Sequence, residues 1–334
     1  MVKDFSKGDI EIKSINVRYR KELPLVLKDL RFNVKQNEKI GIVGRTGSGK
    51  STLLLSLMRI IEIDRDDETG EPRGEIMVDG VDISSLGLNF IRKNLVVIPQ
   101  DPYLLEGTLR HNVDPISEYS DREVTLALDK VEFWSTVKRN TASQASNGRS
   151  SSQEYTGAAR EPVDAKITGV GLTTTQNNYN RQRDNFSSSQ QNDYETPKDL
   201  EIHIERNGEN LSQGQRQLIC IARALIQQPK ILLMDEATSS LDHRTNDIIQ
   251  KVVKYYLNDT TVLTIAHRLM TIIQYDKLIV LKNGQKIEEG APIELIDKKG
   301  YFYSLVAEGE DDFVERMKYL ATHRDKDVES IHAF

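Results

Sequence analysis

Two hydrophobic periods take turns along this chain, and their order predicts its architecture. Between residues 9 and 34 apolar and polar positions alternate, in DIEIKSINVRY and again in LVLKDLRFNV, as half-buried strands do. Lys39–Val43 is a short apolar run that ends in a glycine-rich turn, GRTGSGKST, and reads as a strand. From Ser51 to Ile61, the apolar positions Leu53, Leu54, Leu57, Met58 and Ile61 follow helical spacing. Strand signals return at Ile76–Val78 and Leu95–Ile98, and Leu126–Val137 reads as a helix. Past residue 200 the spacing predicts a helix over 212–227 stopped by Pro229, a fully apolar strand Ile231–Met234, a helix over 246–257 and a buried strand Thr261–Ala266. A hairpin follows, LIVLKNGQKIEEG, turning at Asn283–Gly284, the pair that suits a type I′ turn. Strands alternating with helices in this order predict an α/β fold with a mostly parallel core sheet. The N-terminal strands form an antiparallel β subdomain, and a helical subdomain over about 101–226 stands beside the sheet.

One stretch breaks the pattern. Residues 140–199 are crowded with Ser, Thr, Gln, Asn and Gly, with sparse, unperiodic large apolar residues. Such a segment buries too little surface to offset its ordering entropy, so a disordered insertion is expected. Residues 1–8 read as an N-terminal extension, and the acidic, mixed-charge tail over 308–334 as partly helical at best. The net charge of −6, with both signs spread along the chain, argues against nucleic acid as a partner. Cys220 is the single cysteine and sits in an apolar run, LICIARAL, which fits a buried thiol in a reducing compartment. No apolar run reaches the ~18 residues that a transmembrane helix requires, and MVKDFSKGDIEIK lacks the apolar region of a signal peptide. The expectation is a cytosolic chain that meets a membrane through a partner.

The chemistry is concentrated in two places. Gly44, Arg45, Thr46, Gly47, Ser48, Gly49, Lys50 and Ser51 fit G-x-x-x-x-G-K-[ST] between a strand and a helix. Glycines let backbone amides curl around phosphates, and the helix N-terminus adds the positive end of its dipole. In that motif Lys50 can reach the β- and γ-phosphates, and the Ser51 hydroxyl can ligate Mg²⁺. The second place is Asp235–Glu236, at the end of the apolar run Ile231–Met234. An acid at a buried strand end needs a charge partner, and Mg²⁺ held by phosphates supplies one to Asp235. Glu236 stands one residue further on, where it can orient and deprotonate a water.

With those two motifs placed, the rest of the chain resembles the ATP-binding cassette (ABC) family. Leu211-Ser212-Gln213-Gly214-Gln215 is similar to that family's LSGGQ signature, with Gln213 where glycine is usual. Gln100 in VVIPQDP resembles the Q-loop, Ser240-Leu241-Asp242 the D-loop, and His267 in TIAHRL the switch histidine. Tyr19 in NVRYR resembles the aromatic residue that stacks on adenine. The likeness runs from about Asp9 to Ala307, interrupted by the insertion. RYRKELPLVLKDL, IPQDPYLLEGTLRHNVDP and ARALIQQPKILLMDEATSSLD look like the second nucleotide-binding domain of C-subfamily, multidrug-resistance-type exporters.

The resemblance implies a P-loop NTPase of ABC type over 9–307, with ATP and Mg²⁺ as its cofactors. Catalytic roles fall to Glu236, His267 and Gln100, and Mg²⁺ to Ser51, Gln100 and Asp235. Nucleotide contacts fall to Tyr19, the loop from Gly44 to Ser51, and Thr52, with Ser212, Gly214, Gln215 and Asp242 serving a facing site. It further implies a head-to-tail pairing with a second, unlike cassette, and transmembrane domains at the cytoplasmic face of a membrane. Two other readings stay open on the residues: a soluble, non-transport ABC ATPase, and a regulatory cassette that binds ATP and hydrolyses it weakly.

Overall fold

The computed structural model describes residues 5–137, 198–235, 241–266, 268–308 and 313–323. Almost all of the expected insertion, Glu236, Ser240 and His267 lie outside the described residues.

Its centre is a six-stranded sheet in the order β12–β11–β3–β10–β9–β6. The strands are β3 (Lys39–Val43), β6 (Leu95–Ile98), β9 (Ile231–Asp235), β10 (Thr261–Ile265), β11 (Lys277–Lys282) and β12 (Gln285–Gly290). Every pair is parallel except the β11–β12 hairpin. Parallel strands covered on both faces lose the polar alternation of half-exposed ones, which is why Ile231–Met234 and Thr261–Ile265 are buried along their length. Their side chains still point alternately to two cores. Leu232, Met234, Val262 and Val280 join the larger core with the helices, while Ile231, Leu233, Leu263 and Ile279 join the smaller one.

The smaller core is closed by helix α1 (Lys50–Leu57), through Leu53, Leu54 and Leu57, and by a second, antiparallel sheet, β2–β1–β4–β5. This sheet consists of β1 (Ile10–Val17), β2 (Leu27–Val34), β4 (Glu75–Val78) and β5 (Val81–Asp82). Residues 5–8 of the expected extension are irregular and are tied to the turn between β4 and β5. The Asp79 carboxylate accepts the amides of Ser6, Lys7, Gly8 and Asp9 at 2.7–3.0 Å, and Phe5 packs edge-on against Phe90.

The helical region holds α2 (Leu88–Asn94), α3 (Leu109–Val113), α4 (Asp121–Lys130) and α5 (Gln213–Gln227). Two short strands, β7 (Gly107–Thr108) and β8 (His203–Ile204), pair antiparallel. After β9 come α6 (His243–Tyr255), α7 (Pro292–Asp297), α8 (Tyr301–Ala307) and α9 (Phe313–Thr322).

Three expected boundaries are corrected, each by local chemistry. The helix expected over 126–137 is broken in two: a reciprocal Ser120–Glu123 capping box starts the first part early, at Asp121, and Glu132 at φ 51 separates it from a second helical stretch over 133–137. Helix α1 ends at Leu57 rather than Ile61, with Arg59 at φ 49. Helix α6 begins at His243 rather than Asn246, because Asp242 caps it. The tail, expected to be partly helical at best, carries the helix α9, with Met317 and Leu320 in the larger core.

Candidate nucleotide site

Register explains why distant motifs meet. In the parallel core, Ile42 and Asp235 both stand opposite Ile265, and Ile98 stands opposite Met234. Strands β3, β10, β9 and β6 therefore finish along one edge of the sheet. From that edge emerge the glycine loop, Asp235 and the loop carrying Gln100, and the sequence there continues into Glu236 and His267. The carboxyl ends of strands in an open α/β sheet are where such folds hold ligands.

The loop has the form of an anion cradle. Gly47 and Gly49 have φ of 79° and 102°, in the left-handed region, and Gly49 caps α1 with no side chain in the way. A Cβ on Gly44 would stand 2.3 Å from the Leu281 carbonyl oxygen, so the loop start admits only glycine. Lys50 is 5% exposed, and its Nζ donates to the carbonyls of Gly44 (2.7 Å) and Arg45 (3.2 Å). Ser48 is equally buried, yet its Oγ has no hydrogen-bond partner among the described residues. A buried hydroxyl left in this way costs about 1–3 kcal/mol, which an incoming phosphate oxygen would recover. The loop is braced from behind, because the Gly284 amide of the β11–β12 turn donates to the Ser48 carbonyl at 3.1 Å. A Cβ on Gly284 would fall 1.9 Å from the Val26 carbonyl oxygen. The turn type visible in the sequence therefore serves a tertiary contact as well.

The remaining expected residues divide into three groups. Tyr19 follows β1, is half-exposed, and its hydroxyl lies 3.2 Å from Thr52 Oγ1 on α1, which sets its ring beside the loop. Ser51 and Gln100 are exposed and Asp235 is partly buried. No cluster of three His, Cys, Asp or Glu side chains exists among the described residues. Ser51, Gln100 and Asp235 offer hydroxyl, amide and carboxylate oxygens, the donor types that suit a hard cation such as Mg²⁺.

The signature residues are engaged within the chain. Ser212 Oγ accepts the Gln215 amide at 3.2 Å and Gln215 Oε1 accepts the Ser212 amide at 2.9 Å, a capping box at the start of α5. Gln215 is buried and held in that box, whereas Ser212 is exposed. Gly214 lies where a Cβ would come 2.7 Å from Thr245 Oγ1, so it is the glycine that lets α5 approach α6. Asp242 accepts both the amide and the hydroxyl of Thr245 (3.0 and 2.7 Å). Burial works to raise its pKa, but these hydrogen bonds prevail and hold it below the usual carboxylate range.

Three contacts were not expected from the sequence. Glu308, at the end of α8, forms an ion pair with Arg45 of the loop. Leu305 and Glu308 line a cavity of about 510 Å³ together with Gly44, Arg45, Thr46 and Ala266. Gln217 of α5, 1% exposed, donates through Nε2 to the Pro99 carbonyl at 3.3 Å, tying the signature helix to the loop of Gln100. Nothing in a one-dimensional pattern marks Glu308 or Gln217, since each contact spans more than a hundred residues.

Comparison with known proteins agrees with this geometry. The family model described as ABC transporter matches residues 27–239. The chain is 37% identical over 299 residues to a pleiotropic ABC efflux transporter of multiple drugs from Candida glabrata, covering 89% of this chain and 15% of that protein. It is 37% identical over 301 residues to ATP-binding cassette sub-family C member 2 of Rattus norvegicus, covering 90% of this chain and 15% of that protein. Against bile pigment transporter 1 of Saccharomyces cerevisiae the identity is 38% over 305 residues, covering 91% of this chain and 16% of that protein. The chain thus spans about 15% of the length of these curated relatives. The fold matches a bacterial Atm1-family ABC exporter solved with ATP bound, at TM-score 0.66 and 24% identity, over 92% of this chain and 43% of that one. No helix among the described residues is long and apolar enough to cross a membrane. This chain belongs to the ABC transporter family, as an ATP-binding domain whose relatives include C-subfamily transporters.

Proposed function

We propose that this chain is an ATP-hydrolysing cassette that powers export by a C-type ABC transporter. It would lie at the cytoplasmic face of a membrane, pairing head to tail with a second, unlike cassette beneath transmembrane domains. The observation that carries this reading is the loop at Gly44–Ser51, with its buried Lys50 and the unpartnered Ser48 hydroxyl. Strand-end convergence around it, and membership of a transporter family, support the rest.

In this reading Tyr19 stacks the adenine, and the loop amides with Lys50 and Thr52 hold the phosphates. Ser51, Gln100 and Asp235 would hold Mg²⁺, which would supply positive charge against the phosphates. Glu236 takes a proton from the attacking water, and His267 steadies the γ-phosphate. Both assignments rest on sequence position, one residue past the end of β9 and two past the end of β10. Ser212 and Gly214 close the partner's site, and Asp242 faces it. ATP then acts as part of the interface, and its hydrolysis releases the pair, because the two states differ in their contacts with the γ-phosphate.

Binding of Mg·ATP by the 334-residue chain, followed by titration calorimetry, tests the proposal. Lys50→Ala should weaken binding by at least tenfold. Glu236→Gln should retain binding and lose hydrolysis. Wild-type turnover in Glu236→Gln would remove the general-base role, and unchanged binding in Lys50→Ala would remove the site.

A further inference from the structure

Tyr19 sits in the loop that follows β1, and more than the Thr52 contact fixes its place. Its neighbour Arg18 folds back over that loop. Arg18 Nη1 donates to the Lys21 carbonyl at 2.9 Å, and Nη2 donates to Asp64 Oδ2 at 2.9 Å. The backbone closes the same loop, with the Val26 amide donating to the Val17 carbonyl (2.8 Å) and that of Leu23 to the Arg20 carbonyl (3.0 Å). One guanidinium thus joins the far side of the turn that holds Tyr19 to an acid 46 residues away.

Asp64 is a firm anchor. Its side chain is 8% exposed, and Arg73 stands 3.7 Å from the same carboxylate oxygen. The Asp64 amide donates to the Asn16 carbonyl at 2.7 Å, and its carbonyl accepts the Arg73 amide at 2.7 Å. Arg65 and Pro72 form an antiparallel bridge, and the Asp66 carboxylate accepts the Glu68 and Thr69 amides and pairs with Arg73. Gly74 lets this excursion lie against β1, since a Cβ there would fall 2.5 Å from the Ser14 carbonyl oxygen. Residues 64–73 are therefore fastened to the end of β1, with Asp64 turned toward the guanidinium of Arg18.

We propose that Arg18 and Asp64 are positioning residues for base recognition: their ion pair sets the backbone around Tyr19 so that its ring stands preformed where the nucleobase stacks. This rests on the nucleotide reading above. Thr52 Oγ1 steadies the hydroxyl end of the ring, and the ion pair steadies its Cα end. A ring held at both ends has little freedom left to lose when a base stacks on it, which favours binding. The phosphate loop is braced separately, by the Gly284 amide on the Ser48 carbonyl, so the pair acts on the base and not on the phosphates.

Tripolyphosphate carries the phosphates without the base and separates the two effects. In titration calorimetry with Mg²⁺ on the full chain, Tyr19→Ala should weaken ATP about tenfold and leave tripolyphosphate unchanged. Asp64→Asn and Arg18→Met should each show the same selectivity, with ATP weakened roughly three- to tenfold. Arg18→Met leaves Asp64 facing Arg73, so it keeps the inference testable if Asp64→Asn does not fold. In the Tyr19→Ala background, Asp64→Asn should cause no further loss of ATP affinity, because the pair acts through the ring. A purely structural ion pair would instead weaken both ligands or neither, whatever residue stands at 19. Equal losses for the two ligands, wild-type ATP affinity in both folded single variants, or a further loss in the double variant would each overturn the proposal. Each of these results, with a selective Tyr19→Ala, leaves the nucleotide reading intact. A wild type that binds neither ligand removes that reading and this inference together.

Discussion

Tyr275 and Thr264 show how single buried polar groups are handled in this core. The Tyr275 hydroxyl lies 3.0 Å from Thr264 Oγ1, with both residues nearly enclosed. Burial pushes the phenol pKa up to about 12, against a smaller opposing effect of the Thr264 hydrogen bond. A phenol whose folded value lies above its ordinary 10 keeps its full contribution below pH 10 and loses it as pH rises toward 12. The loss amounts to about 2–3 kcal/mol. Tyr275→Phe should therefore be less stable than wild type by about 1 kcal/mol at pH 7, since Thr264 loses its partner. Its melting temperature should fall less steeply than that of wild type between pH 10 and 12, measured by calorimetry. Parallel slopes over that interval would assign the alkaline unfolding to other groups. Cys220 is the quieter counterpart: it is buried, and desolvation raises its thiol pKa, which leaves it poorly nucleophilic.

At the scale of elements, the start of α5 combines two demands that one substitution can separate. Ser212 caps the helix in a reciprocal box with Gln215, and its exposed position suits the proposed role toward a partner's phosphates. Ser212→Ala should lose about 1 kcal/mol of stability, the usual cost of a lost cap. Ser212→Asp keeps an N-cap acceptor and suits the helix dipole, so its stability should match wild type. It also sets a negative charge where the proposal brings a γ-phosphate, and ATP-driven association with a partner cassette should fail. Urea denaturation reads the first effect and sedimentation the second. Association of Ser212→Asp equal to wild type would show that Ser212 is a cap and nothing more. The same helix is joined to the Gln100 loop by Gln217 and to Tyr103 and Asn112 by the largely buried Arg223.

For the whole molecule the prediction concerns asymmetry. The chain resembles the second of two unlike cassettes, with Gln213 in its signature where glycine is usual. A side chain there crowds the close backbone approach that glycine permits. Its own phosphate loop should therefore serve the active site of a pair, and its signature the slower one. Sedimentation of Glu236→Gln with ATP should find a monomer, and turnover should rise when a partner cassette is added. Gln213→Gly should speed the partner's site and leave this chain's own site unchanged. A tight ATP-dependent homodimer that hydrolyses at both sites would exclude the unlike pairing.

The sequence by itself determined the parallel core, the phosphate loop and the hairpin turn. Each of these is local: a run of apolar residues, a glycine spacing, an Asn-Gly pair. Lys39–Val43 and Leu95–Ile98 are legible to the residue, because each is a short apolar run bounded by polar or turn residues. Helix boundaries were less legible, since a cap such as Ser120–Glu123 or a left-handed residue such as Glu132 outweighs hydrophobic spacing. Only the tertiary structure decided why Gly214 and Gly284 are glycines, one against Thr245 and the other against Val26. Tertiary structure alone brought Glu308 to Arg45 and Gln217 to Pro99. The physical reason is the same in each case: periodicity records which face of an element is buried, and packing alone records what it is buried against.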